Sequence, residues 1–177
     1  MTGQSVSIRI RVYGVPKPGG SKRAFVVKGR AVVTEDCKTS KTWREAVKQA
    51  AIEAGAGTSP LLTGPLLVAC VFYMPRPKGH YGTGRNADRL KASAPYWPQT
   101  KPDATKLMRS TEDALTNVVW RDDALIISPW PTKLYADASH LPGAEIVIDA
   151  FGSAALGAIA DMLRRTVRRI EWEREKP

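Results

Sequence analysis

Residues 65–73 read Pro-Leu-Leu-Val-Ala-Cys-Val-Phe-Tyr. An apolar run of this length, bounded by Pro and Gly and rich in β-branched and aromatic residues, has no polar face to give to water. It therefore predicts a central strand covered on both sides. On its N-terminal side, residues 55–64 form a Gly-bounded linker. Residues 40–54 form a helix with Ser40 as N-cap and Trp43, Ala46, Val47, Ala50 and Ala54 on the core face. Further back, residues 24–27 and 31–34 flank Lys28-Gly29-Arg30 as a hairpin. Residues 14–23 are a Pro- and Gly-rich loop. In residues 5–13, Val6, Ile8, Ile10 and Val12 alternate with polar positions, as in a half-buried strand.

On the C-terminal side, residues 74–100 are rich in Pro, Gly and charge. A loop of this length in a compact domain suggests a mobile, basic, substrate-facing segment. Residues 104–118 carry Leu107, Thr111, Ala114, Leu115 and Val118 at helical spacing. Strands are expected at 124–128 and 145–150. A last helix from residue 152 has Leu156, Ile159, Leu163, Val167 and Ile170 as its apolar stripe, with Arg164, Arg165, Arg168 and Arg169 mostly off it. The order βββαβαββα predicts an α+β fold, a small mixed or antiparallel sheet packed by helices with a C-terminal helical extension. The expected division is a domain over 1–151, carrying the 74–100 loop, and a basic amphipathic helix over 152–177.

The chain has 177 residues, 43% hydrophobic and 25% charged, enough for one domain with a core that needs no disulfides. Nothing approaches the ~20 apolar residues of a membrane span, and the first residues lack the apolar stretch of a signal peptide. The two cysteines, Cys37 and Cys70, are too few for a disulfide framework or a Cys-based zinc site. A soluble cytoplasmic protein is expected. Lys and Arg number 27 against 17 Asp and Glu, a net charge of +10 that favours a polyanionic partner.

That charge is unevenly placed. Residues 1–30 contain Arg9, Arg11, Lys17, Lys22, Arg23, Lys28 and Arg30 and no acid. Residues 74–101 contain Arg76, Lys78, Arg85, Arg89, Lys91 and Lys101 against Asp88, interleaved with His80, Tyr81, Tyr96 and Trp97. Bases among aromatics suit phosphate contacts with stacking beside them. The acids gather instead at Asp103, Glu112, Asp113, Asp122 and Asp123. Carboxylates converging within a basic surround bind Mg²⁺ or Mn²⁺ through hard oxygen ligands, as a metal-dependent nuclease requires. Charge alone does not separate such an enzyme from a DNA-binding module. If the helix and the following strand pack side by side, Asp103 and one of Asp122 and Asp123 converge, the other pointing away. His80 and His140 are isolated. Gly79-His80-Tyr81-Gly82-Thr83-Gly84 lacks the strand–loop–helix context and the Lys-Ser/Thr of a nucleotide-binding loop.

The stretch from Lys101 to Ile126 resembles the RusA family of Holliday-junction resolvases. The likeness rests on Lys101-Pro102-Asp103, Leu107, Asp113-Ala114-Leu115, Trp120, Asp122-Asp123 and Ile126, and on Val15-Pro16-Lys17-Pro18 after the opening strand. The 74–100 loop and the helix after 152 look like additions to the smaller members. The resemblance implies a Mg²⁺-dependent homodimeric endonuclease that nicks paired strands of a four-way DNA junction. Its catalytic Asp-x-Asp falls on Asp103 and Thr105, its later Asp on Asp123, and its Lys on Arg109. Two of the four depart, and Lys106 stands where the family has Asn.

Arg109 keeps a positive charge for the scissile phosphate. Thr105 supplies no carboxylate, but acts either as helix N-cap or through its hydroxyl on the metal. Glu112 lies seven residues on, about 700° around the helix and ~20° off the same face, so it is a candidate replacement. The alternative makes Glu112 a surface partner of Arg109. The expected metal ligands are Asp103, Asp123 and Glu112, with Asp122 and Thr105 as further candidates. The expected DNA contacts are Lys17, Lys22, Arg23, Arg76, Lys78, Arg85, Arg89, Lys91 and Lys101. Two rival readings remain: a junction-binding protein that lost catalysis with the change at Thr105, and a metal-dependent nuclease for other branched nucleic acids.

Overall fold

The computed structural model describes residues 7–19, 22–27, 30–35, 40–58 and 60–150, and the helical positions 157, 160, 161, 164, 165 and 168; between 20 and 39 it describes the backbone alone. The elements are β1 (Ser7–Tyr13), β2 (Lys22–Val27), β3 (Arg30–Glu35), α1 (Ser40–Glu53), β4 (Leu66–Met74), α2 (Ala104–Leu115), β5 (Ile126–Tyr135) and β6 (Gly143–Ala150). Strands β1, β6, β4 and β5 form one sheet in that order, and β2 and β3 form a separate hairpin. Within the sheet β1–β6 and β6–β4 are antiparallel and β4–β5 is parallel. This is the expected α+β architecture with a mixed sheet.

β4 is buried at every position. Leu66, Val68, Cys70, Phe72 and Met74 face a core shared with Trp43 and Val47 of α1 and Leu107, Met108, Ala114 and Leu115 of α2. Leu67, Ala69, Val71 and Tyr73 enter a second cluster on the other face with Val147 and Leu134. Alternate residues of a strand serve opposite faces, so a strand apolar throughout is one with a core on each side. Gly143 is required where β6 meets β1, because a Cβ there would run into the Val12 carbonyl.

Several expected boundaries moved. On α1, Ala51 is buried and Ala54 is exposed, since the last turn ends at Glu53. α2 stops at Leu115 rather than 118. Thr116 is extended, Asn117 has φ 62°, and the Asn117 amide donates to the Trp120 carbonyl. Asn adopts this left-handed conformation at low cost, and the turn delivers Trp120 into the core, 0% exposed.

β5 begins at Ile126 rather than 124 and runs past the expected end at Ser128, through Pro129-Trp130-Pro131, to Tyr135. β5 is an edge strand. Pro129 and Pro131 are two residues apart, so both missing amide donors fall on one side, away from β4. The expected 74–100 segment is not a featureless strap. Tyr81 and Leu90 form an isolated bridge, the Gly82 amide donates to the Arg89 carbonyl and the Lys91 amide to the His80 carbonyl.

Outside the described residues lie Val6, the turn Lys28-Gly29, Cys37, the side chains of Lys22, Arg23 and Arg30, Arg169, and the apolar stripe from Leu156 to Ile170. Among the described residues no helix is long and apolar enough to cross a membrane.

Candidate functional site

The segment after β1 turns at Gly14, whose φ of 120° suits glycine, and runs back along α2, where the Gly19 amide donates to the Lys106 carbonyl. Opposite it, residues 100–103 lead into α2. Lys133 of β5 holds that lead-in: its Nζ donates to the Thr100 and Pro102 carbonyls, 2.9 Å each. The two segments form the walls of an open groove of about 390 Å³, lined by Val15, Pro16, Lys17, Pro18, Met74, Lys101, Pro102, Asp103 and Lys106. Three lysines and one aspartate thus share the groove with the apolar side chains of Val15, Pro16, Pro18, Met74 and Pro102. The 75–100 segment leaves the sheet at Met74 and returns at Lys101, so both its ends open at this groove.

Asp103 occupies the N-cap position of α2, yet its side chain makes no capping hydrogen bond. Its Oδ2 lies 3.4 Å from the Lys106 ammonium. Thr105 is therefore not the N-cap; it sits in the first turn of the helix, exposed.

The other acids sit further along α2. Glu112 is half-buried. Burial pushes its carboxyl above the ordinary range, the negative charges of Asp123 and Asp113 push it the same way, and Arg109 opposes them. Burial, with the negative charge of Glu112 adding to it, holds the Cys70 thiol neutral. Asp113 faces α1, 3.7 Å from Arg44. Asp122 is turned back on its own chain, its Oδ1 accepting from the Ala124 amide at 2.9 Å as the cap of a short 3₁₀ turn. Asp123 follows it, exposed.

The expected convergence on one ion meets a geometric limit. Nine residues of helix separate Asp103 from Glu112, about 13–14 Å of rise. Among the described residues no three His, Cys, Asp or Glu side chains form a group able to hold a metal ion. Along α2, Asp103 in the basic groove and Glu112 beyond Arg109 therefore stand about two and a half turns apart.

The 75–100 segment splits the expected DNA contacts. Lys78, Arg85, Arg89 and Lys91 are exposed. Arg76 is engaged inside the protein, its guanidinium 4.0 Å over the Tyr135 ring and donating to the Pro95 carbonyl. Lys91 donates to the Gly79 carbonyl at 2.9 Å. Sequence reading missed Lys106 and Lys133. Lys106 had a signal, a cation three residues after the helix-start Asp. Lys133 had none, since its partners lie more than thirty residues away.

The family model for the endodeoxyribonuclease RusA matches residues 14–149, spanning both groove walls, α2 and the sheet strands β4, β5 and β6 up to residue 149, with β1 before it. The chain belongs to the RusA family of endodeoxyribonucleases. It is also similar to the uncharacterized protein YqaN of Bacillus subtilis (strain 168), with 26% identity over 141 residues, 80% of this chain and 94% of that one. The RusA match begins at Gly14, the residue that starts the groove wall, and ends one residue before the end of β6. The groove is thus built entirely from matched residues.

Proposed function

We propose that this RusA-family chain is a divalent-cation-dependent, structure-selective endodeoxyribonuclease that resolves four-way DNA junctions in recombination. The observation that carries the reading is the groove, lined by Lys17, Lys101 and Lys106 together with Asp103. A phosphodiester entering it meets ammonium groups on both walls, and the apolar side chains of Val15, Pro16 and Met74 let the sugar lie against them. The exposed Lys78, Arg85 and Arg89 extend the positive surface outward for DNA arms. Arg109, exposed one turn beyond Thr105, would offset charge at the scissile phosphate.

Asp103, Glu112 and Asp123 are hard oxygen donors that suit Mg²⁺ or Mn²⁺, although no three such side chains form a metal-holding group among the described residues. A bound ion would supply charge against the phosphate oxygens and an acidified water. A homodimer would present two such grooves by twofold symmetry, matching paired nicks on opposed strands.

The separation of Asp103 from Glu112 along α2, together with Thr105 at a family carboxylate position, favours one second reading: a junction-binding protein without cleavage. Cleavage of a four-way junction against a linear duplex of equal length, with and without Mg²⁺, decides between them. Mg²⁺-dependent nicking of the junction in preference to the duplex is expected. Tight junction binding with no nicking at any Mg²⁺ or Mn²⁺ concentration establishes the second reading.

A further inference from the structure

We propose that Arg76 is a positioning residue for DNA. It closes the base of the 75–100 segment into a preformed arm, whose exposed Lys78, Arg85 and Arg89 meet DNA phosphates at a set distance from the groove. The inference rests on the reading of that segment as a DNA contact. The Arg76 guanidinium lies 4.0 Å over the ring of buried Tyr135, and its Nη1 donates to the Pro95 carbonyl at 3.0 Å, nineteen residues on. Residues 76 and 95 are thereby tied to each other and to the last residue of β5. The His80 ring meets Tyr135 edge-on at 5.5 Å. Lys133 ties the far end of the segment to the same strand through the Thr100 carbonyl.

Beyond this base the arm holds itself. The Lys91 amide donates to the His80 carbonyl, the Gly82 amide to the Arg89 carbonyl, and the Lys91 ammonium to the Gly79 carbonyl. A Cβ at Gly82 would run into the Asn86 carbonyl, and Gly84 has φ 58°, so the tip is built on glycines. Arg85 and Arg89 leave that tip exposed. An arm ordered beforehand loses less conformational entropy on meeting phosphates than a loose loop. A planar guanidinium stacks on a ring while donating in its own plane, which an ammonium does not. Arg76→Lys therefore keeps the charge and opens the clamp.

The test uses the full chain without divalent cation. It follows trypsin cleavage of the free protein at Lys78, Arg85 and Arg89, and four-way junction binding across a range of salt, with a thermal melt to show that each variant is folded. Arg76→Lys is expected to speed cleavage about three- to tenfold. It is also expected to weaken junction binding and, with no charge removed, to lower the slope of log affinity against log salt by more than the ~0.9 of a single phosphate contact. Unchanged cleavage, or unchanged affinity and slope, in Arg76→Lys would overturn the positioning role; a slope lowered by about 0.9 in Arg76→Gln alone would make Arg76 itself a phosphate contact. An unchanged slope when Arg85 and Arg89 are both replaced by Gln would overturn the reading of the segment as a DNA contact, and the inference with it.

Discussion

Replacing Lys133 with Met keeps the length of the side chain and removes its ammonium. The structure gives that ammonium two hydrogen bonds of 2.9 Å, to the Thr100 and Pro102 carbonyls, on the segment that carries Lys101 and Asp103 into the groove. Hydrogen bonds to charged groups contribute roughly 1.5–3 kcal/mol each, the low end applying here because one is exposed and the other half-buried. Two such bonds give about 3 kcal/mol. Against this stands about 1.5–2 kcal/mol of side-chain entropy returned when the lysine is freed, since the methionine is less restrained. The expected net loss is about 1–1.5 kcal/mol, a drop in Tm of a few degrees.

The larger effect is on position. The lead-in to α2 is no longer tied to β5, and a displacement near 1 Å at reacting groups costs up to about a hundredfold in rate. Thermal melts and single-turnover nicking of a four-way junction measure the two consequences. Lys133→Met should lower the rate at saturating DNA at least tenfold while leaving junction affinity within about twofold. An unchanged Tm and rate would refute the anchoring role. A loss of affinity that accounts for the whole loss of activity would refute it as well, by making Lys133 a DNA contact.

Other expectations follow from the placement of the charged groups. The Glu112 carboxyl is raised in the folded protein above its unfolded value, so its charged form opposes folding once the pH exceeds the unfolded value. Glu112→Gln should therefore raise stability at pH 7, by at most about 1 kcal/mol because solvent screens a half-exposed group, and should leave it unchanged near pH 3. Equal effects on the melt at both pH values would contradict this. The same variant should lose roughly tenfold or more in nicking if its carboxylate serves the cation, and a normal rate with normal metal dependence would make Glu112 a bystander. Asp123→Asn should abolish nicking yet retain junction binding in a gel-shift titration; cleavage near the wild-type rate would remove it from the catalytic set. Neutralising Arg85 and Arg89, both exposed, should lower the slope of log affinity against log salt by about 0.9 for each DNA phosphate that the protein ceases to neutralise. An unaltered slope would show that the 75–100 segment stays clear of DNA.

Elements whose residues carry a periodicity were legible in the chain alone. The apolar run at 66–74, the alternation in β1 and the helical stripes of α1 and α2 each state which face is buried, because burial selects residue type position by position. Asp103, Glu112, Asp123, Lys17 and Lys101 were also legible one by one, as was the family to which the chain belongs, whereas Lys106 and Lys133 were not picked out. What depends on neighbours distant in sequence emerged with the fold. Ser128-Pro129-Trp130-Pro131 becomes strand because it lies at a sheet edge, where missing amide donors cost nothing, and edge position is a property of the sheet. The alliance of Asp103 with Lys106 rather than with Glu112 follows from the rise of α2, which separates residues that a helical wheel superimposes. Lys133 supports the groove from a strand that pairs with β4, so its role exists only once that pairing has brought two segments far apart in the chain side by side.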